Sequence, residues 1–156
     1  SLTYLVTGHL LPNNGVMIAV GDGRSGLVEM RFLHIDDGTD NNRFLLGGDA
    51  SPVRPRFLVS LGGATQADIQ PAGGVDDFSD LVQKKLAGIY GNSNDFELLS
   101  SGVSRGTDTS GSNPAVTTIR IGDTPTAAGF GVHVRDVCIF AGRMTVADVA
   151  TIMNAL

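Results

Sequence analysis

The stretch Gly131-Val132-His133-Val134-Arg135-Asp136-Val137-Cys138-Ile139-Phe140, followed by Met144-Thr145-Val146-Ala147-Asp148-Val149, decides the fold class. Its first part alternates as a strand does. In strict alternation Val132, Val134, Asp136 and Cys138 fall on one face, and His133, Arg135, Val137 and Ile139 on the other. Its second part opens a helix. Thr145 is a capping residue, and Asp148, three residues on, can reach back to the Thr145 amide. Val146, Val149, Ile152, Met153 and Leu156 then recur at helical spacing, which predicts a helix with one apolar side.

Working outward from this end, the chain is a series of short apolar runs broken by turn residues. Leu2–Leu11 reads as a first strand, and Pro12-Asn13-Asn14-Gly15 as a turn with a hairpin-favouring Asn-Gly pair. Val16–Val20, Leu27–Ile35, Arg43–Leu46 and Arg56–Leu61 follow as strands. Asp36–Asn42 is a polar loop, and Asp49–Arg56, with two prolines, reads as irregular or an edge. Ala64–Asp77 reads as an insertion loop. Asp80–Tyr90 and Phe96–Leu99 form a hairpin around Gly91–Asp95. Ser100–Pro114 holds almost no apolar residue and reads as a long exposed loop. Thr117–Gly122 is one more strand.

Composition agrees with one antiparallel sandwich. The 156 residues fit a single domain, 1–156, with enough chain to bury a core. The 21 glycines are spread without a collagen period and supply the turns. Charged residues are only 17%, against about a quarter in average soluble chains, so partner coverage of part of the surface is a fair expectation. The net charge of −5 disfavours nucleic-acid binding. No apolar run approaches the ~20 residues of a membrane-spanning helix. No signal peptide is visible, and with small Ser1 at the start and the helix ending at Leu156, the domain is expected to be the whole gene product. The one cysteine, Cys138, excludes an intramolecular disulfide. That fits synthesis in a reducing cytosol, with Cys138 a buried inert thiol.

The C-terminal block resembles the close of laminin-G-like, or concanavalin A-like, jelly-roll domains, which commonly end in G-x-I-D-D-V-x-I-Y-x-x-x-L-T-x-x-E-I. Gly131, Asp136, Val137, Ile139, Phe140, Met144, Thr145, Asp148 and Val149 match by identity or type. Lys84–Tyr90 with Phe96–Gly102, and Thr117–Gly122, resemble the family's central hairpin and next strand, without its usual Trp. The resemblance implies an all-β antiparallel jelly roll with a short C-terminal helix. It also implies that a strand often found upstream in the family is missing, so a neighbour can complete the sheet.

Catalytic signals are absent. Glucanases of this fold carry Glu-x-Asp-x-x-Glu on one strand, so that alternate carboxylates face the cleft. No such triplet occurs; Glu29 is followed by Arg31, and Glu97 by Leu99. His9, His34 and His133 have no metal-ligand spacing. Gly21-Asp22-Gly23-Arg24-Ser25-Gly26 reads as a hairpin turn, because it lacks the Lys-Ser/Thr ending of a phosphate loop. Asp36, Asp37, Asp40 and Asn41 can supply oxygen ligands to calcium, but a solvated acidic turn is the expected outcome. Most Phe residues occupy core positions, leaving Tyr4, Tyr90 and Phe78 as candidates for a sugar-stacking surface.

These observations predict a non-enzymatic protein with no catalytic, cofactor or metal residues. The primary expectation is a structural protein of a virion: a bacteriophage capsid decoration (cement) protein or tail appendage, made in the host cytoplasm. It would be a homo-oligomer docked on other virion proteins through its N-terminal strand edge and Arg54-Pro55-Arg56. The alternative is a lectin-like glycan-binding module using the loops Asp36–Asn42 and Ser100–Asn113.

Overall fold

A computed structural model describes residues 2–5, 13–23, 29–49, 53–73, 76–78, 82–125 and 131–156. The elements are β1 (Leu2–Leu5), β2 (Gly15–Gly23), β3 (Glu29–Asp36), β4 (Arg43–Asp49), β5 (Arg54–Leu61), β6 (Ala64–Ile69), β7 (Lys84–Tyr90), β8 (Phe96–Ser100), β9 (Val103–Asp108), β10 (Thr118–Ile121), β11 (Val132–Ala141) and α1 (Val146–Ala155). They form two sheets, here called A and B. Sheet A has the order β1-β10-β3-β4-β5-β6 and sheet B the order β11-β2-β7-β8-β9. Every pairing is antiparallel.

The alternation of each strand explains why two sheets face one another. Met17 and Ala19 of β2, Phe44 and Leu46 of β4, Phe57 and Val59 of β5, and Leu86 and Tyr90 of β7 point inward and share one buried core. Three aromatic contacts run through it: Phe32 meets Phe78 edge-on at 5.5 Å, Phe44 stacks on Phe57 of the neighbouring strand at 6.4 Å, and Phe44 meets Tyr90 of the other sheet at 4.9 Å.

The outer face of sheet B is apolar as well, and α1 covers it. Val16, Ile18, Ala87, Ile89 and Leu99 pack there with Val149 and Met153, and Cys138, Phe140, Val146, Ile152 and Leu156 border the contact. The helix starts where the sequence predicts. Thr145 Oγ1 accepts from the Asp148 amide at 3.2 Å and donates to the Asp148 carboxylate at 2.7 Å. No basic residue stands in the last turn of α1. Cations from the sheet stand there instead: Lys85 Nζ donates to the Met153 carbonyl at 2.8 Å, and Arg135 donates to the Leu156 carbonyl.

Several expectations need correction. Strict alternation fails in β11. Val134 pairs with Gly21 but Asp136 with Val20, so Arg135 is an extra residue, a β-bulge. Beyond it Val137 and Ile139 rejoin Val132 and Val134 on the inner face, while Cys138 and Phe140 face α1. Ala64–Ile69 is strand β6, not an insertion loop. Arg54-Pro55-Arg56 opens β5, an internal strand, where Pro55 lies opposite Gly48. Val103–Asp108 is edge strand β9, so the exposed loop is confined to the residues around it. Of the expected first strand, Leu2–Leu5 is present, and 6–12 lie outside the described residues, as does His9.

Candidate functional site

One sheet face remains: the outer surface of sheet A. Its strands alternate charged residues with core residues, and the pairing register gathers the charged ones. Arg31, His34 and Asp36 of β3 stand beside Arg120 of β10 and Arg43 of β4; Asp49 of β4 stands beside Arg54 of β5. Five of the chain's nine arginines (31, 43, 54, 56 and 120) lie on this face. Two leucines, Leu45 and Leu58, sit among them, both buried, opposite His34 and Asp68 respectively.

The arginines are positioned by carboxylates. Arg31 pairs with Glu29 at 2.9 Å, Arg43 with Asp40 at 2.7 Å, and Arg120 Nε with Asp36 at 2.8 Å. Arg56 grips Asp68 through Nε at 2.7 Å and Nη2 at 2.8 Å, and also contacts Asp49. Against the upward push of burial, the Arg56 guanidinium holds the Asp68 carboxyl below its usual range. Arg54 Nη1 donates to the Pro71 carbonyl at 3.2 Å. Burial lowers the Arg31 pKa, opposed by Glu29.

His34 is the exception in this network. It is 0% exposed, yet neither ring nitrogen has a hydrogen-bond partner. Its Nε2 lies 3.8 Å from Asp36 and 3.7 Å from Asp40, beyond hydrogen-bond reach. Burial pushes its pKa down to about 3, so the ring is neutral near pH 7, with one donor and one acceptor. Arg43 Nε and Arg54 Nε are also buried without a partner.

The other sequence candidates are scattered. Glu29 sits on the outer face of sheet A, while Glu97 of β8 lies in sheet B opposite outward-facing Ile89, so the two carboxylates do not face one another. Glu97 accepts from the Ser104 hydroxyl. His133, 2.9 Å from Asp22, is exposed on sheet B. In the Asp36–Asn42 loop the carboxylates have internal partners. Asp36 accepts from the Gly38 amide, and Asp37 from Thr39 and Asn42, which hold its pKa down despite the upward effect of burial. Among the described residues no group of three or more His, Cys, Asp or Glu can hold a metal. Tyr90 and Phe78 are core residues and offer no stacking surface, and burial raises the Tyr90 pKa. Burial, then Asp136, raises the Cys138 pKa, which keeps it a thiol.

The two rim loops also separate. Asp36–Asn42 and residues 109–113 share one end of the sandwich, where Ser112 N meets Gln66 and Asn42 Oδ1 accepts from Gly62. Ser101-Gly102 is at the other end, beside Lys85 and Ala150. The Arg54-Pro55-Arg56 segment is no free docking arm, since both guanidinium groups are engaged within the chain. What the sequence reasoning missed is the sheet A face as a unit. Its signal was present in Arg31-x-x-His34-x-Asp36, Arg54-x-Arg56 and Arg120, charged residues on strands otherwise apolar.

No protein-family model matches the sequence, and no curated protein matches it. Solved structures do share the fold. The CBM40 domain of the Ruminococcus gnavus IT-sialidase, solved with alpha2,3-sialyllactose bound, superposes with a TM-score of 0.69 at 11% identity, over 90% of this chain and 82% of that one. The native heptameric SAP-like pentraxin of Limulus polyphemus gives 0.69 at 10% identity, over 97% and 74%. Domain 4 of AbnA, the GH43 extracellular arabinanase of Geobacillus stearothermophilus, solved with arabinotriose, gives 0.67 at 12% identity, over 92% and 68%. At such identities the likeness establishes the fold alone, and the chain is an antiparallel β-sandwich of the jelly-roll type.

Proposed function

We propose that the chain is a glycan-binding module whose ligand lies across the outer face of sheet A. The observation that carries this is His34, buried among arginines and carboxylates with both ring nitrogens unpartnered. Buried polar groups are normally hydrogen-bonded, by protein or by water, and a ligand hydroxyl that enters past Asp40 and Arg43 can take the place of such a water. A sugar hydroxyl both donates and accepts, which suits a neutral imidazole beside Arg and Asp. The Asp40–Arg43 pair, with side chains 29% and 22% exposed, connects the ring to solvent. The oligosaccharides held by two of the similar structures support the same reading.

Recognition here relies on hydrogen bonds. Phe32, Phe44, Phe57, Phe78, Tyr90 and Phe96 are buried and Phe140 packs against α1, so none of these rings is free to stack on a sugar, while the side chain of Tyr4 lies outside the described residues. The helix occupies the outer face of sheet B, which leaves sheet A as the broad polar surface.

The test is a glycan array followed by calorimetry on the sugars it selects. Arg43→Ala and Arg120→Ala abolish binding, while Arg143→Ala, whose guanidinium pairs with Asp95 beside β8, leaves it intact. Binding that survives both sheet A substitutions, or an array without a ligand, refutes the proposal.

Docking in a virus particle is the second reading. What favours it is the long strand β11, which pairs on one side only among the described residues. The similar structures named above are not described as virion proteins.

A further inference from the structure

We infer that β11 is the interface of a two-fold dimer, in which the β11 strands of two copies pair antiparallel and join two B sheets into one. Among the described residues β11 is a terminal strand of sheet B, and its ten residues pair with β2 alone. A long edge strand is a template for another strand unless it is blunted. Lysines are absent from β11, and Pro is too; its blunting devices are the bulge and the charges at Arg135 and Asp136, and a two-fold partner matches both. The core is also incompletely covered on this side. Val132, Val134, Val137 and Ile139 of β11, with Ile119 and Ile121 of β10, are only partly buried, whereas inward residues of β2, β4 and β7 are fully buried.

The occupant is a second copy because the strand is complementary to itself from Val132 to Ile139 in the register centred on the bulge. In a symmetric antiparallel pair each residue has a fixed partner, and paired residues share a face. The bulge at Arg135 shifts the alternation, so the inner set is Val132, Val134, Val137 and Ile139. A two-fold axis between Arg135 and Asp136 places Val134 opposite the second copy's Val137, and Val132 opposite its Ile139. Inner meets inner along the whole strand. Moving the axis by half a residue either way sets inner residues against outer ones across the bulge.

The same register sets Arg135 of each copy opposite Asp136 of the other. Opposite charges facing across strands stabilise a pair, and like charges oppose it. Parity over the whole length Val132–Ile139 and charge thus favour the same register. The outer set follows, with His133 opposite Cys138.

That last pair provides the test. Directly opposed Cα atoms in an antiparallel ladder lie about 4.5–5.5 Å apart, within disulfide reach. Within one copy, residues 133 and 138 are about 16 Å apart along the strand and cannot bridge. Oxidised His133→Cys is therefore expected to run as a covalent dimer on a non-reducing gel, and His133→Cys with Cys138→Ser as a monomer. Sedimentation equilibrium should show a dimer for the natural chain and a monomer for Asp136→Arg. The double exchange Arg135→Asp with Asp136→Arg should restore the dimer, and circular dichroism should show every variant folded. A natural chain that stays monomeric overturns the inference. A dimer that neither cross-links nor responds to the charge exchange overturns it as well.

Discussion

Gly88 sits in the middle of β7, where an added Cβ would lie 2.7–2.9 Å from Cε2, Cδ2 and Cζ of Phe57 in the opposite sheet. Such contacts are closer than carbon atoms tolerate, so Gly88→Ala forces a ring or a strand to move. Phe57 has little room: it is fully buried and stacked on Phe44, which in turn meets Tyr90. Overpacking a core of this kind costs roughly 1–3 kcal/mol. The substitution also reduces the entropy of the unfolded chain, which returns about 0.4–1 kcal/mol. The net expectation is a loss of roughly 1–2 kcal/mol, or a fall of about 2–8 °C in Tm for a chain this size. Urea denaturation monitored by circular dichroism measures it directly. A smaller side chain at 57 should relieve the clash, so Gly88→Ala with Phe57→Leu should lose less than the sum of the two single changes. If Gly88→Ala leaves the midpoint unchanged or raises it, the spacing of the two sheets described here is wrong.

Met153, fully buried on the sheet-facing side of α1, should lose about 2–5 kcal/mol on Met153→Ala, while Ile152→Ala, at the border of that contact, should lose less; the two urea midpoints decide the order. His34 makes stability depend on acid. Its folded pKa of about 3 lies below the unfolded value near 6.5, so the unfolded state binds more protons between them. Its contribution is intact above about pH 6.5 and falls by up to about 1.4 kcal/mol per pH unit toward pH 3. Unfolding curves across that window should show a shallower slope for His34→Gln than for the natural chain, and equal slopes would remove His34 from the explanation.

The fold was legible where one rule governs many residues. The short apolar runs that became β2, β4 and β7, the Gly-rich turns and the Thr145 cap each have a local physical cause, and the structure follows them. What stayed illegible was parity. A bulge such as Arg135 leaves no mark in composition, so Val137 and Ile139 were assigned to the wrong face. β6 and β9 were missed for a related reason: they are edge strands with exposed polar residues, and nothing in their pattern demands burial. The site failed for a third reason. Arg31, Arg56 and Arg120 lie far apart in sequence, and only the order β10-β3-β4-β5 brings them onto one surface.

The bulge in β11 has a genetic consequence. Arg135 is the one residue of that strand that faces no partner in β2. An in-frame deletion of its codon leaves Val132, Val134, Val137 and Ile139 pointing into the core and Cys138 and Phe140 toward the helix. Loss of a codon farther along, at Cys138 for example, exchanges the two sets for the rest of the strand. Related chains one residue shorter at this point can therefore keep the sandwich intact, but their β11 would recover uninterrupted alternation. The same inner residues would still face one another, but about an axis through Asp136 that sets this carboxylate against its own copy, and like charges oppose pairing. Two populations of homologues, differing by a single residue in length, would then share a tertiary structure and differ in assembly.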